Sequence, residues 1–131
     1  MRKIAAHYIR LLSGELPKRL HYLILTDDGA FCDCQALVQE IESVPFYNGI
    51  LFCTYQKNDI TPSSLLHEFR QIQAEHPDMT AFQVMDLSKL LIADITVYRQ
   101  PVDVFVLDGL DLTSPKFSTN NGSCNCHIQR L

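Results

Sequence analysis

The stretch that most constrains this chain is Pro45–Gln56, PFYNGILFCTYQ. It is apolar, rich in β-branched and aromatic residues, and broken only by Asn48-Gly49. That composition reads as a turn followed by a buried strand over 50–55. Gln56-Lys57-Asn58-Asp59 then turns polar, and Thr61-Pro62 opens a helix. The chain therefore divides into a strand-rich part over 1–55, two helices within 60–93 and a strand-rich part over 94–131, all in one domain. In the strand, Leu51, Cys53 and Tyr55 alternate with Ile50, Phe52 and Thr54. If helices cover one face and more sheet the other, both sets are buried.

On either side of this stretch the pattern continues. A first strand spans 3–9 and a second 20–26. Asp27-Asp28-Gly29 is a hairpin signal, since Gly readily adopts the positive φ of a tight turn. The returning strand spans 30–35. Residues 36–43 read equally as continued strand or as one helical turn. Thr61 is a suitable N-cap with Pro62 at the first helical position. Leu65, Leu66, Phe69 and Ile72 then recur at helical spacing until Pro77. Thr80 and Gln83 make a capping box for a second helix, whose expected apolar stripe is Val84, Leu87 and Leu91. A short strand at 95–98, a strong strand at 103–107 and a last strand at 124–130 follow. Asn121-Gly122 signals a tight turn before the last of these.

Composition narrows the function classes. A net charge of -4 leaves no concentrated basic face, which argues against nucleic acid as a partner. No apolar run approaches the roughly 20 residues that span a bilayer, so no membrane partner is expected. The basic N-terminus has His7 and Arg10 inside its apolar part and does not read as a signal peptide. Five cysteines cannot all pair internally. Reduced thiols and a cytoplasmic location are the simplest expectation.

Several residues invite a chemical reading. Cys32, Cys34, Cys124, Cys126 and His127, with Cys53, are the residue types that zinc takes as ligands. Yet C-x-C is not the C-x₂-C knuckle, and residues two apart in a strand lie about 6.6 Å apart. Small apolar filling is the plainer role for these cysteines. His67-Glu68 lacks the second histidine of H-E-x-x-H, because position 71 is Gln. His7 and His21, on neighbouring strands, could form a pH-sensitive pair. Asp27, Asp28, Asp103, Asp108 and Asp111 are a carboxylate set, but most sit beside Gly at turns, where Asp is favoured for backbone reasons. No catalytic residue, metal or cofactor is assigned.

Two segments together resemble the ends of a metal-dependent amidohydrolase, the superfamily of cytosine deaminases, chlorohydrolases and imidazolonepropionases. Lys3 to Ile9 is similar to that family's first strand. Leu20 to Thr26 with Asp27-Asp28-Gly29 resembles its early hairpin, and Phe46 to Ile50 the segment leading to its metal ligands. Arg99 to Asp108, RQPVDVFVLD, resembles its closing G-K-x-A-D strand pattern, and the helices over 62–92 resemble the last ones that accompany its barrel. The resemblance implies a small β-sandwich built from both chain ends. It does not carry the activity. After Ile50 the sequence reads LFCTYQKND, without Pro-Gly or His-x-His, and residues 56–95 cannot hold a barrel of roughly 250 residues.

The expected fold is α+β: a small, mostly antiparallel β-sandwich or open barrel made from both ends, with two helices packed on it. The expected function is that of a non-catalytic, barrel-less amidohydrolase-like module serving protein interaction or oligomerisation. A homodimer, or a complex with another protein, would use Phe46, Tyr47, Phe52, Tyr55 and the helices. The alternative is a hydrolase with a site rebuilt from the cysteines, His127 and the turn carboxylates.

Overall fold

The structure is a computed structural model, and it describes residues 2–11, 18–37, 44–55, 60–91, 101–109 and 126–131. Its elements are β1 (Arg2–Arg10), β2 (Lys18–Leu25), β3 (Phe31–Ala36), β4 (Phe46–Tyr55), α1 (Pro62–Glu75), α2 (Ala81–Leu87), β5 (Val102–Asp108) and β6 (His127–Arg130). The strands form one six-stranded sheet in the order β3-β2-β1-β4-β5-β6. Only β1 and β4 are parallel; every other pair is antiparallel. Both chain ends thus share one sheet, joined where β4 meets β5. The fold is α+β, with an open sheet rather than a closed barrel. The strand proposed at 95–98, the turn at 121–122, residues 38–43 of the ambiguous segment and most of the approach to β6 lie outside the described residues.

The sheet is nevertheless strongly coiled. β3 and β5 are four strand positions apart, about 19 Å in a flat sheet at roughly 4.8 Å per step. Yet Ala30, at the head of β3, bridges Pro101, and the Val102 N–H donates to the Gly29 carbonyl at 3.4 Å. The coil encloses one core: Ile4, Ala6, Ile9, Leu23, Leu25, Phe31, Leu51, Cys53, Val102, Val104 and Val106. The opposite face of β4, β5 and β6 packs Ile50, Phe52, Phe105, Leu107 and Ile128 against Leu65, Phe69, Ala81, Val84 and Met85 of the helices. From Ile50 to Thr54, β4 therefore buries side chains on both of its faces.

Local chemistry explains the elements. The hairpin after β2 is a three-residue loop closed by Thr26 N–H to Ala30 O at 2.8 Å, with φ +87° at Gly29 alone. Thr61 and Ser64 form a capping box on α1, as Thr80 and Gln83 do on α2. Gln73 is buried and its Nε2 donates to the carbonyls of His76 and Pro77, closing the C-terminal end of α1.

Two expectations are corrected. Asn48-Gly49 makes no turn: β4 runs unbroken from Phe46, and the irregularity appears as a shift of its register against β1 between Ala6 and Tyr8. Gly49 is there because a Cβ would stand 2.3 Å from the Leu107 carbonyl oxygen of β5. On α2, Leu87 is exposed, and the helix stops before Leu91. Ser88 leaves the helical path, its hydroxyl donating to Glu68 of α1 and accepting the Leu91 N–H.

Two substitutions probe this core. Phe52, fully buried and stacked on Phe105 at 5.6 Å between ring centroids, should cost about 3–5 kcal/mol when replaced by Ala. Gly49→Ala must push β5 away and should cost about 1–3 kcal/mol, the usual range for overpacking. Chemical denaturation reads both. A midpoint unchanged in either variant would mean that the β4–β5 contact is not where the stability lies.

Candidate functional site

The residues singled out for chemistry are dispersed by the fold. On β5, Asp103 and Asp108 are five residues apart, which puts them on opposite faces. Asp103 pairs with Arg130 at 2.7 Å and Asp108 with His127 at 2.7 Å. Asp27 and Asp28 lie at the exposed hairpin, where Asp28 accepts the Thr26 hydroxyl. Asp111 and Cys124 lie outside the described residues. His67 is exposed, while Glu68 accepts the Lys89 N–H at 3.0 Å as well as the Ser88 hydroxyl, so its carboxylate ties α1 to the end of α2. His21 lies across from Ala6, not His7; His7 instead meets the Phe46 ring edge-on at 5.3 Å. Arg10, almost wholly buried, reaches Asp86 of α2 at 2.9 Å. Removing one partner of such a pair strands the other charge, so it is a fixed structural link.

The cysteines do not form a ligand set either. Cys32 occupies the register irregularity opposite Ile24 and Leu25, which lets Phe31 and Cys34, three residues apart, both pack on the enclosed core. The C-x-C spacing is thereby broken. Cys32, Cys34 and Cys53 are free thiols, whereas Cys126 is disulfide-bonded, so the expectation of reduced thiols throughout fails at that residue. Among the described residues no group of three His, Cys, Asp or Glu is placed to hold a metal. Burial pushes the Cys34 thiol up to about 11 and Cys53 up to about 12, with the Cys34 charge adding to the latter. Neither is an activated nucleophile.

Of the interface residues expected from the sequence, Phe52 is fully buried and presents no surface. Phe46 is 46% exposed and Tyr47 is half-buried. Tyr55 pairs with Val102 at the far end of β4. Phe46 belongs to a larger surface. α1 and α2 cover the β4–β6 half of their face of the sheet. The other half, built by β3, β2 and the start of β1 and β4, has neither helix packed on it. The register aligns Asp33, Ile24 and Lys3 in one row, and Gln35, Tyr22, Ala5 and Phe46 in the next. Leu20, two residues before Tyr22, is 41% exposed and held at φ +53°. That left-handed conformation is unfavourable for a leucine by roughly 1–2 kcal/mol. Strain of this kind gathers at functional surfaces.

The signal for this surface was present in β2. Leu20–Leu25, LHYLIL, lacks the apolar-polar alternation of a one-sided strand, and such runs are expected where both faces are covered. Leu23 and Leu25 face the enclosed core, leaving Tyr22 and a buried Ile24 on the opposite side. Comparison with protein families, with curated proteins and with solved structures finds no match for the chain.

The buried thiols give this region a pH signature. Cys53 keeps its proton in the fold up to about 12, while an unfolded thiol ionises near 9. The unfolded state therefore binds fewer protons between those values, and stability falls as pH rises through that window. Cys53→Ala should flatten the fall relative to the parent. Parallel melting curves from pH 8 upward test it, and identical slopes in the two proteins would refute it.

Proposed function

We propose that this chain is a non-catalytic interaction module that self-associates through exposed apolar residues, Leu20 and Phe46, on the half of the sheet away from its two helices. What carries the reading is the pair of exposed large apolar residues Leu20 and Phe46, at 41% and 46% exposure, with a half-buried Tyr22 on β2. Apolar groups gathered on one face usually mark an interface. The carboxylates and histidines point the same way, because the best placed of them are spent on links within the chain. Amidohydrolase-like ancestry is part of the same proposal. It is supported by the way both chain ends contribute to one sheet through β4 and β5, as the composite sandwich of that family does. Among the described residues no helix is long and apolar enough to cross a membrane.

Size-exclusion chromatography with light scattering is the test. The parent should run as a dimer at high protein concentration. Leu20→Glu with Phe46→Glu should run as a monomer with an unchanged circular dichroism spectrum. A parent that stays monomeric at every concentration reached would overturn the proposal.

A further inference from the structure

β3 stands at one end of the strand order, so one of its two edges is turned away from β2. Such an edge directs every second N–H and C=O outward, where they can template a further strand. The ladder fixes which residues do so here. The Leu37 N–H donates to the Leu20 carbonyl at 2.8 Å. Continued through Gln35↔Tyr22 and Asp33↔Ile24, that register turns the odd-numbered residues toward β2 and Cys34 and Ala36 outward. The outward N–H of Cys34 already has an acceptor, Asp33 Oδ1 at 2.8 Å. The other oxygen of the same carboxylate accepts from the Gln35 amide at 2.9 Å, and the Tyr22 hydroxyl donates to Gln35 Oε1 at 2.6 Å. Three hydrogen bonds thus run in series from β2 to the outer edge of β3. The bonds to Asp33, that from Gln35 first, hold its carboxyl below the usual carboxylate range, so it remains an ionised acceptor at neutral pH.

We propose that the Asp33 carboxylate is a latch that closes the β3 edge to strand addition by a second copy of this chain. An incoming strand must offer a carbonyl to the Cys34 N–H, and that donor is already held. It must also cover an exposed, ionised carboxylate, which is costly without a counter-charge. Two further features of β3 act in the same direction. The strand is only six residues long, and its register irregularity opposite Ile24 and Leu25 bends it. Two copies offer each other the same edge, so a two-fold pairing of β3 with β3 is the assembly that the latch excludes. The inference does not need the self-association proposed above, which uses side chains on a sheet face rather than backbone at an edge.

Asp33→Val tests the latch, in a chain that also carries Leu20→Glu and Phe46→Glu so that association through the face does not contribute. At low protein concentration its Cys34 N–H should exchange with deuterium roughly two- to ten-fold faster than in the chain with Asp33 intact, as the loss of one hydrogen bond allows. At high concentration light scattering should show dimers, and exchange at Cys34 should slow again as a new strand takes up that N–H. Asp33→Asn keeps an acceptor oxygen without the charge and should stay monomeric in the same background. Circular dichroism checks that each chain folds, and Asp33→Ala replaces Asp33→Val if that one does not. A variant without the carboxylate that stays monomeric at every concentration reached would overturn the latch. Equal dimerisation of Asp33→Asn would also overturn it, because charge rather than the bond to Cys34 would then be keeping the edge clear. A parent that never self-associates would leave this result untouched, since the face is already disabled in every chain compared.

Discussion

The continuous strand ladder between the two ends of this chain runs through β4, with one further bridge from Ala30 to Pro101. β4 hydrogen-bonds to β1 on one side and to β5 on the other, and like β5 it has one face in each of the two cores. Its central position depends on a single missing side chain. At Gly49 the β5 backbone comes so close that a Cβ would overlap the Leu107 carbonyl. Without β5 the helices would lose Phe105 and Leu107 from their floor. The β1–β3 meander would keep its own pairing. It would lose Val102, Val104 and Val106, which close its inner face.

The coiling of the sheet follows from the same strand. Leu51 and Cys53 on β4 lie between the side chains of β1 and β2 and those of β5, and all of them converge on one enclosed core. Burying that core requires the β2–β3 hairpin to swing toward the start of β5, where Gly29 and Ala30 meet Pro101 and Val102. The sheet can stay open because this corner contact and the helices between them cover what a closed barrel would. Neither helix lies over the other half of the face they pack on.

Much of this was legible in the sequence because it is written in local periodicity. The run VDVFVL, the helix caps at Thr61 and Thr80 and the Asp-Gly hairpin each specify an element from a few adjacent residues. What was not legible depends on contacts between distant residues. Asn48-Gly49 has the composition of a turn, and only the approach of β5 makes it a register irregularity inside a strand. Leu91 has helical spacing from Val84, but Ser88 is drawn to Glu68 on another helix and ends α2 early. Cys32 and Cys34 look like a pair until a bulge separates their roles. The surface was only half legible. Phe46 was singled out by its aromatic ring, but Tyr22 and Gln35 become neighbours only through the pairing of β2 with β3, and no spacing in the sequence announces that.

Among the described residues the polar and the apolar groups are placed differently. Arg10, Asp103, Glu68 and Asp108 are all held by partners within the chain, and the thiols of Cys34 and Cys53 are held in their neutral form. Catalytic groups need the opposite, a poised proton or an activated nucleophile within reach of substrate. On the outer face of β2 the imbalance is of another kind. Burying a side chain such as Leu20 gains roughly 1.5–3 kcal/mol, whereas association costs at least about 4 kcal/mol in lost freedom of motion. One such residue cannot offset that cost. In the symmetric pair proposed above every residue is used twice, so the side chains of Leu20, Tyr22 and Phe46 would count as six.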